Sequence, residues 1–193
     1  MKRLGLLLIL ALAQAAPAAP PPAPRLLGNV KSLPVALDPD FQFRKTKLFL
    51  MTQEAPNTSK EKATKGGTSS ETSANAKSTG VVQQASIAFE RHYRLFGAVT
   101  KLDQHQRFGN YFDFFWRTKR PADLNVRLEY QQENLHGHVQ AQEVACGPVH
   151  GSHKTAFKVV GDDYSDGGRV LAWRCLLVED GKIVAETRSF LWR

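Results

Sequence analysis

Residues 107–118 read RFGNYFDFFWRT, and the alternation within this aromatic row predicts a β-strand. Successive side chains of a strand point to opposite faces. One predicted face is almost wholly aromatic and suits a core; it holds Phe108, Asn110, Phe112, Phe114 and Trp116. The other face mixes rings with charges, as contact surfaces do; it holds Gly109, Tyr111, Asp113, Phe115 and Arg117. The row therefore predicts a core strand with one face open to a partner.

The segment LNVRLEY, residues 124–130, shows the same alternation. Its odd and even positions separate into polar and apolar sets, which is typical of a half-buried antiparallel strand. Other strand-like segments recur at nearly regular spacing between turn residues; they are SIAFERHYRLFGAVT, HVQAQEV, TAFKVV, GRVLAWRCLLV and KIVAETRSFLW. No strong helical periodicity is apparent. The sequence therefore predicts an all-β domain.

The segment VEDGKIV, residues 178–184, predicts a tight hairpin. Asp180-Gly181 between two β-rich runs is the signature of a type I′ turn, in which both central residues need positive φ. A two-residue turn sets the register, so Val178 is expected opposite Ile183 and Trp173 opposite Arg188. Both faces of this hairpin carry large apolar residues, so either the hairpin is covered on both sides or one face meets something outside the domain.

Seven or eight short strands with hairpin turns predict an antiparallel two-sheet β-sandwich. In strand spacing, about 110 C-terminal residues resemble immunoglobulin and fibronectin type III domains. The resemblance is limited to the strand pattern, because Trp173 lies just before the second cysteine rather than between the two. The resemblance implies a sandwich fold, but it does not indicate which residues of this chain bind a ligand.

Residues 1–18 predict a cleaved signal peptide. Lys2 and Arg3 precede an apolar run, residues 4–13, that is too short to span a bilayer and ends in A-x-A patterns. We therefore expect a secreted or periplasmic bacterial protein with no membrane span. Cleavage removes two cations, so the net charge falls from +8 to +6. The basic residues are scattered, which argues against nucleic acid and leaves anionic glycans or cell-envelope polymers as charged partners.

The domain organisation follows from two low-complexity tracts. A Pro/Ala-rich spacer is predicted over residues 19–29, within a disordered N-terminal region. Residues 53–80 contain no aromatic residue and no aliphatic larger than Ala, so they predict a floppy insertion that cannot form a core. The strand-like segment between the tracts, residues 41–52, is expected to join the sheet. A single domain is therefore predicted over 30–193, with a low-complexity loop at 53–80.

The chain has two cysteines, Cys146 and Cys175. In an oxidising compartment an even pair predicts a disulfide. Two buried free thiols are the alternative.

Four histidines are weak candidates for a metal site: His136, His138, His150 and His153. Their spacing, with Cys146 nearby, matches no established zinc pattern. An acidic turn over residues 161–168 lacks the spaced ligands of a calcium-binding EF-hand loop and is expected to be solvated. We therefore predict no metal and no cofactor.

No combination of nucleophile, base and acid is apparent, so the sequence predicts a non-catalytic binding or assembly module. The predicted contact surface is aromatic and basic; it comprises Tyr111, Phe115, Arg117, Trp173, Arg188 and Trp192. The expected partner is another protein or a second copy of the chain, since strands apolar on both faces favour an extensive dry contact. A glycan-binding module is one alternative. A metal-dependent or hydrolytic enzyme that uses the histidine segments is another.

Overall fold

A computed structural model of the 193-residue chain describes residues 23–53 and 86–193. The predicted signal peptide, and all but the first residue of the low-complexity loop 53–80, lie outside these ranges. No helix in the described part of the chain has the length and apolar character needed to cross a membrane.

In the described part of the chain, six strands form one antiparallel sheet in the order β1-β4-β3-β5-β6, and β2 also pairs with β3. Their bounds are β1 Arg25–Leu27, β2 Phe41–Met51, β3 Gly109–Gln132, β4 Val139–Val160, β5 Val170–Glu179 and β6 Lys182–Arg188. Strand β3 pairs along one edge with β4, to which it is connected by the 3-10 turn Glu133–Leu135. Along its other edge, the first half of β3 pairs with β2 and the second half pairs with β5. The predicted antiparallel β architecture and the joining of residues 41–51 to the sheet are confirmed.

The long hairpin of β3 and β4 bends, and the two halves of the sheet face each other. Trp173 pairs with Tyr130, sixteen positions beyond Phe114 on β3, and a straight strand of that length would span about 50 Å. The ring centroids of Trp173 and Phe114 are nevertheless 5.4 Å apart. One folded sheet, rather than the two predicted, encloses the core in the described residues.

Pro and Gly residues on both strands account for the bend. The β3–β4 register shifts between Thr118 and Ala122, next to Pro121. The facing stretch of β4 contains the Gly-Pro pair at 147–148 and Gly151, whose φ is +89°. Proline donates no ladder hydrogen bond and glycine accepts positive φ, so these residues favour bulges over a continuous ladder.

The inward faces of the two halves form the core. The aromatic row behaves as predicted, with four buried rings at Phe108, Phe112, Phe114 and Trp116. The apolar residues of LNVRLEY are buried as well. Glu129 was predicted to face solvent, yet it is 1% exposed because the N-terminal segment crosses its side of the sheet.

Residues 25–38, here called the N-terminal arm, cross the outer face of the sheet. The arm pairs with β4 through β1, which lies within the segment predicted as a spacer, 19–29. It then reaches the far edge, where the amides of Ala36 and Asp38 donate to β6 carbonyls at 2.9 and 3.0 Å. Leu33 packs on a small apolar cluster of the outer face on the way. The ordered fold therefore begins earlier than predicted.

Residues 86–95 form helix α1, so the strand predicted there is wrong. Two short helices follow: α2, Lys101–His105, and α3, Asp162–Gly167, which contains the acidic turn. The aromatic residues of α1 have high strand propensity, which favoured the strand prediction. Their spacing of four and then three residues is nevertheless helical.

The predicted type I′ turn is present, with φ of +47° at Asp180 and +74° at Gly181. Val178 pairs with Ile183 as predicted. A bulge then adds one residue to β6, and Arg188 pairs with Arg174 instead of Trp173. Because a one-residue shift reverses every subsequent side chain, the predicted pairing of Trp173 with Arg188 is wrong.

Cys146 and Cys175 are free thiols, so the predicted disulfide is not formed. Cys146 pairs with Leu124 on one side of β3, and Cys175 pairs with Leu128 on the other. Two strand spacings, about 10 Å, therefore separate them across the sheet. A disulfide needs Cα atoms within about 7 Å. The alternative of two free thiols is the arrangement observed.

Candidate functional site

The six residues predicted to share one contact surface lie in three places. Tyr111, Phe115 and Arg117 lie on the outer face of the first half of the sheet. Trp173 is 9% exposed and belongs to the core, where it contacts Phe112 and Phe114. Arg188 and Trp192 lie at the outer face of the second half. Since the two outer faces point away from each other, the predicted residues do not form one continuous surface.

The ring of Phe115 is flanked by cations. The ammonium groups of Lys47 and Lys154 each lie 5.7 Å from its centroid. Lys154 also pairs with Asp113 at 3.0 Å. Cations at this distance are attracted to the π face, so the ring is already engaged within its own domain.

Tyr111 anchors helix α1 to the sheet. The guanidinium of Arg94 lies 3.9 Å from the centroid of the Tyr111 ring and 5.4 Å from that of Phe49. The Tyr111 hydroxyl donates to the carbonyl oxygen of Arg107 at 2.6 Å. Burial raises the pKa of Tyr111, and the nearby Arg94 and Arg107 offset part of this increase. The residue therefore has a structural role.

Helix α1 turns charged side chains toward its own sheet. Arg94 forms an ion pair with Glu90 one turn earlier. Arg91 donates to the backbone carbonyls of Thr52 and Gln53 at 2.7 and 3.3 Å. All three charged residues are partly buried.

The opposite side of α1 is aromatic and faces outward. Phe89 and Tyr93 on α1, and Phe96 directly after it, are 69, 68 and 77% exposed. Val99 and Leu102, before and within α2, are exposed as well. These five residues are called the aromatic stripe below. A helix on a globular domain normally buries its apolar side. The amphipathic character of α1 is thus inverted, and several large apolar side chains exposed in one region mark interaction sites.

The charge around the aromatic stripe is positive. Both carboxylates of the region are engaged internally: Glu90 with Arg94, and Asp103 in a capping box with Thr100 at the start of α2. Hydrogen bonds from Thr100 lower the pKa of Asp103. His92 and Lys101 are exposed beside the rings.

The structure separates the four candidate histidines into two pairs, one at the β3–β4 turn and one in the middle of β4. His136, with φ of +47°, and His138 lie at the β3–β4 turn. His153 stacks on Trp116 at 4.8 Å, and its Nε2 lies 3.0 Å from the carbonyl oxygen of His150. Within 23–53 and 86–193, no group of three or more His, Cys, Asp or Glu residues is placed to hold a metal ion.

No protein-family model matches this sequence, and comparisons with curated proteins and with solved structures find no match.

The stripe was not predicted from the sequence, because residues 86–100 were interpreted as a strand. The usable signal was the helical spacing of Phe89, Tyr93 and Phe96, reinforced by the Glu90–Arg94 pair at i,i+4. The sequence does not show which side of the helix faces outward. The charged side of a helix ordinarily faces solvent, so the pattern would have predicted buried aromatic residues.

Proposed function

We propose that this protein is a non-catalytic binding module that docks the aromatic stripe onto another protein. The partner surface is an apolar groove with acidic residues at its rim. We also propose that the module works outside the cytoplasm, after export by its signal-like N-terminus. The observation that carries the proposal is the inverted amphipathic character of α1.

Energetics support this assignment. Burying a large apolar side chain contributes about 1.5–3 kcal/mol of stabilising free energy. Each side chain of the stripe that stays in water lacks this contribution. The rings of Phe49 and Tyr111 on the sheet could pack against apolar residues of α1, yet the guanidinium of Arg94 covers both. Aromatic side chains are enriched in the cores of protein interfaces. The exposed ammonium group of Lys101 beside the stripe favours an acidic rim on the partner through charge complementarity.

The immunoglobulin-like sandwich predicted from strand spacing is retained only as an architectural proposal. The two facing halves of the folded sheet would enclose a core as the two sheets of a sandwich do. In this scheme the partner contact is made by a helix on the outer face rather than by strands.

The proposal can be tested by site-specific photo-crosslinking followed by quantitative binding. A photo-reactive residue at position 96 should crosslink one envelope protein, and the same residue at position 190 should not. Phe190 is a matched control because its side chain is fully exposed and lies away from α1. The captured protein is then purified, and its affinity for the intact chain is measured by calorimetry.

Phe89→Glu/Phe96→Glu should weaken that affinity by at least a hundredfold, because it places charges in a dry contact with an acidic rim. Phe190→Glu should change the affinity less than twofold. Equal affinity for both variants would contradict the proposal. So would a stripe-dependent dimer in sedimentation, or stripe-dependent binding to lipid vesicles without a protein partner, because each assigns the stripe to a different occupant.

A further inference from the structure

The outer face of the second half of the sheet contains a cavity of about 550 Å³. Strands β3, β4 and β5 form its floor, residues 26–32 of the N-terminal arm form its roof, and Trp192 lies at one side. This volume is within the range of small-molecule sites in proteins. We call this cavity the arm groove.

A buried carboxylate lies in the floor of the arm groove. Oε2 of Glu129 accepts a hydrogen bond from Nε of Arg174 at 2.7 Å. Oε1 lies 3.9 Å from the nearest guanidinium nitrogen of Arg127, which is beyond hydrogen-bond range. Arg127 is instead hydrogen-bonded to Glu143 at 2.8 Å. One oxygen of Glu129 therefore remains able to accept a hydrogen bond from a ligand.

Arg174, whose Nε is hydrogen-bonded to Glu129, also lines the arm groove. Its guanidinium carbon lies 5.1 Å from the centroid of the Trp192 ring, which fixes the plane of the group. Among the described residues, neither terminal nitrogen of Arg174 has a hydrogen-bond partner within the protein. The β5–β6 bulge places Arg188 directly opposite Arg174. Like charges in directly opposed positions destabilise a sheet, and an anion between them would relieve the repulsion.

The arm supplies further donors. The backbone of residues 29–32 makes no hydrogen bond to any other described residue. Lys31, in the same stretch, is exposed and lines the groove. The groove thus combines backbone amides without a partner among the described residues, an oriented guanidinium and a lysine with one hydrogen-bond-accepting carboxylate.

From this geometry we propose that the arm groove binds an acidic sugar, a uronic acid unit of an anionic glycan. The sugar carboxylate forms two parallel hydrogen bonds with the terminal nitrogens of Arg174. A ring hydroxyl donates to Oε1 of Glu129, and the sugar ring lies beside the edge of the groove formed by Trp192, which is 9% exposed. A singly charged carboxylate suits the site better than a phosphate dianion, because Glu129 repels the additional charge. The arm groove lies on a different face of the molecule from the aromatic stripe, and sugar binding in the groove does not depend on the stripe.

The test uses the full chain and three probes: a galacturonic acid disaccharide, the neutral galactose disaccharide of the same linkage, and inorganic phosphate. Binding is followed by NMR titration of backbone amides at low salt. The acidic disaccharide should shift the amides of residues 28–32 and the indole N–H of Trp192. It should bind at least tenfold more tightly than either other probe, which corresponds to one charge-assisted hydrogen bond or more.

Two variants and one control locate the site. Arg174→Gln should weaken binding of the acidic disaccharide by at least tenfold. Arg188→Gln, which leaves the buried Glu129–Arg174 pair intact, should weaken it by about threefold to tenfold. Arg117→Gln removes an exposed arginine from the other outer face and should change affinity less than twofold.

Three results would overturn the proposal: equal affinity for the neutral disaccharide, equal or tighter binding of phosphate, or unchanged affinity in Arg188→Gln. The Arg188 result decides the question if Arg174→Gln does not fold, because Arg188 is exposed and its only ion pair among the described residues is a 4.0 Å contact with Glu186.

Discussion

At the scale of single residues, the two thiols have different exposure. Cys175 is completely buried in the core, whereas Cys146 lies near the bend of the hairpin and is partly exposed. Burial raises the pKa of both thiols above the ordinary value of 9.0, and the shift is larger for Cys175. Both side chains therefore favour the neutral form in the folded protein more than in the unfolded chain.

We expect denatured protein, prepared without reductant, to contain two titratable thiols. In the native protein at pH 8, Cys175 should react with a chromogenic disulfide reagent only at the rate of unfolding, because the thiolate is the reactive species. Because the folded pKa values are raised, the free energy of unfolding is unaffected below about pH 9 and falls as the pH rises through the unfolded values. No thiol signal in denaturant would instead indicate a disulfide.

The buried hydroxyl of Tyr130 has no hydrogen-bond partner among the described residues. Burial raises its pKa, and the nearby side chain of Gln142 offsets only part of the increase. Tyr130→Phe removes the unpaired hydroxyl and keeps the ring, so it should raise the free energy of unfolding by about 1 kcal/mol. Denaturant unfolding at pH 7 measures this. A loss of stability would mean that the hydroxyl is hydrogen-bonded in solution.

At the scale of elements, Gly109 controls the start of β3. Its φ is +143°, and a Cβ at this position would lie 2.1 Å from the carbonyl oxygen of Val159 on β4. The first half of the hairpin can therefore close only around a glycine.

Gly109→Ala should lower the free energy of unfolding by more than about 2 kcal/mol, through clash and backbone strain combined. Gly147→Ala is the matched control, because no atom lies within 4 Å of the added methyl group and its φ is not positive. It should change stability by less than about 1 kcal/mol. Urea unfolding of both variants tests the register of β3 and β4, and equal losses would contradict it.

The β6 bulge determines which side chains of β6 lie on the outer face of the sheet. The turn at Asp180-Gly181 was predictable because its residues must adopt positive φ, and that requirement is local. The additional residue at Val184 was not predictable, because Val184 and Ala185 are both buried in a core that forms only when the sheet folds over. As a result Arg188 lies opposite Arg174 on the outer face and not opposite the inward-pointing Trp173.

At the scale of the whole molecule, Trp173 joins the two halves of the sheet. It is paired into the second half, and its ring lies 6.1 and 5.4 Å from the rings of Phe112 and Phe114 in the first. Arg120 adds a polar link near the bend, with hydrogen bonds to Asp38 of the arm and Glu179 of β5.

Trp173→Ala should lower the free energy of unfolding by about 3–5 kcal/mol, the usual cost of removing a buried tryptophan side chain. Phe190→Ala, at a fully exposed position, should change it by less than about 0.5 kcal/mol. Thermal and denaturant unfolding of both variants provide the measurement. A small effect of Trp173→Ala would place this ring on a surface and would contradict the folded sheet.

The sequence by itself determined the antiparallel β architecture, the buried side of the aromatic row, the tight turn and the strand at residues 41–51. Each of these features depends on the alternation of apolar and polar residues or on a local backbone requirement. Both are properties of residues that are close together in the sequence. The tertiary structure alone decided the fold-over of the sheet, the burial of Glu129 beneath the arm, the separation of the cysteines and the outward direction of the α1 rings. These depend on contacts between segments far apart in the chain, so the same local pattern is compatible with either outcome until the core has formed.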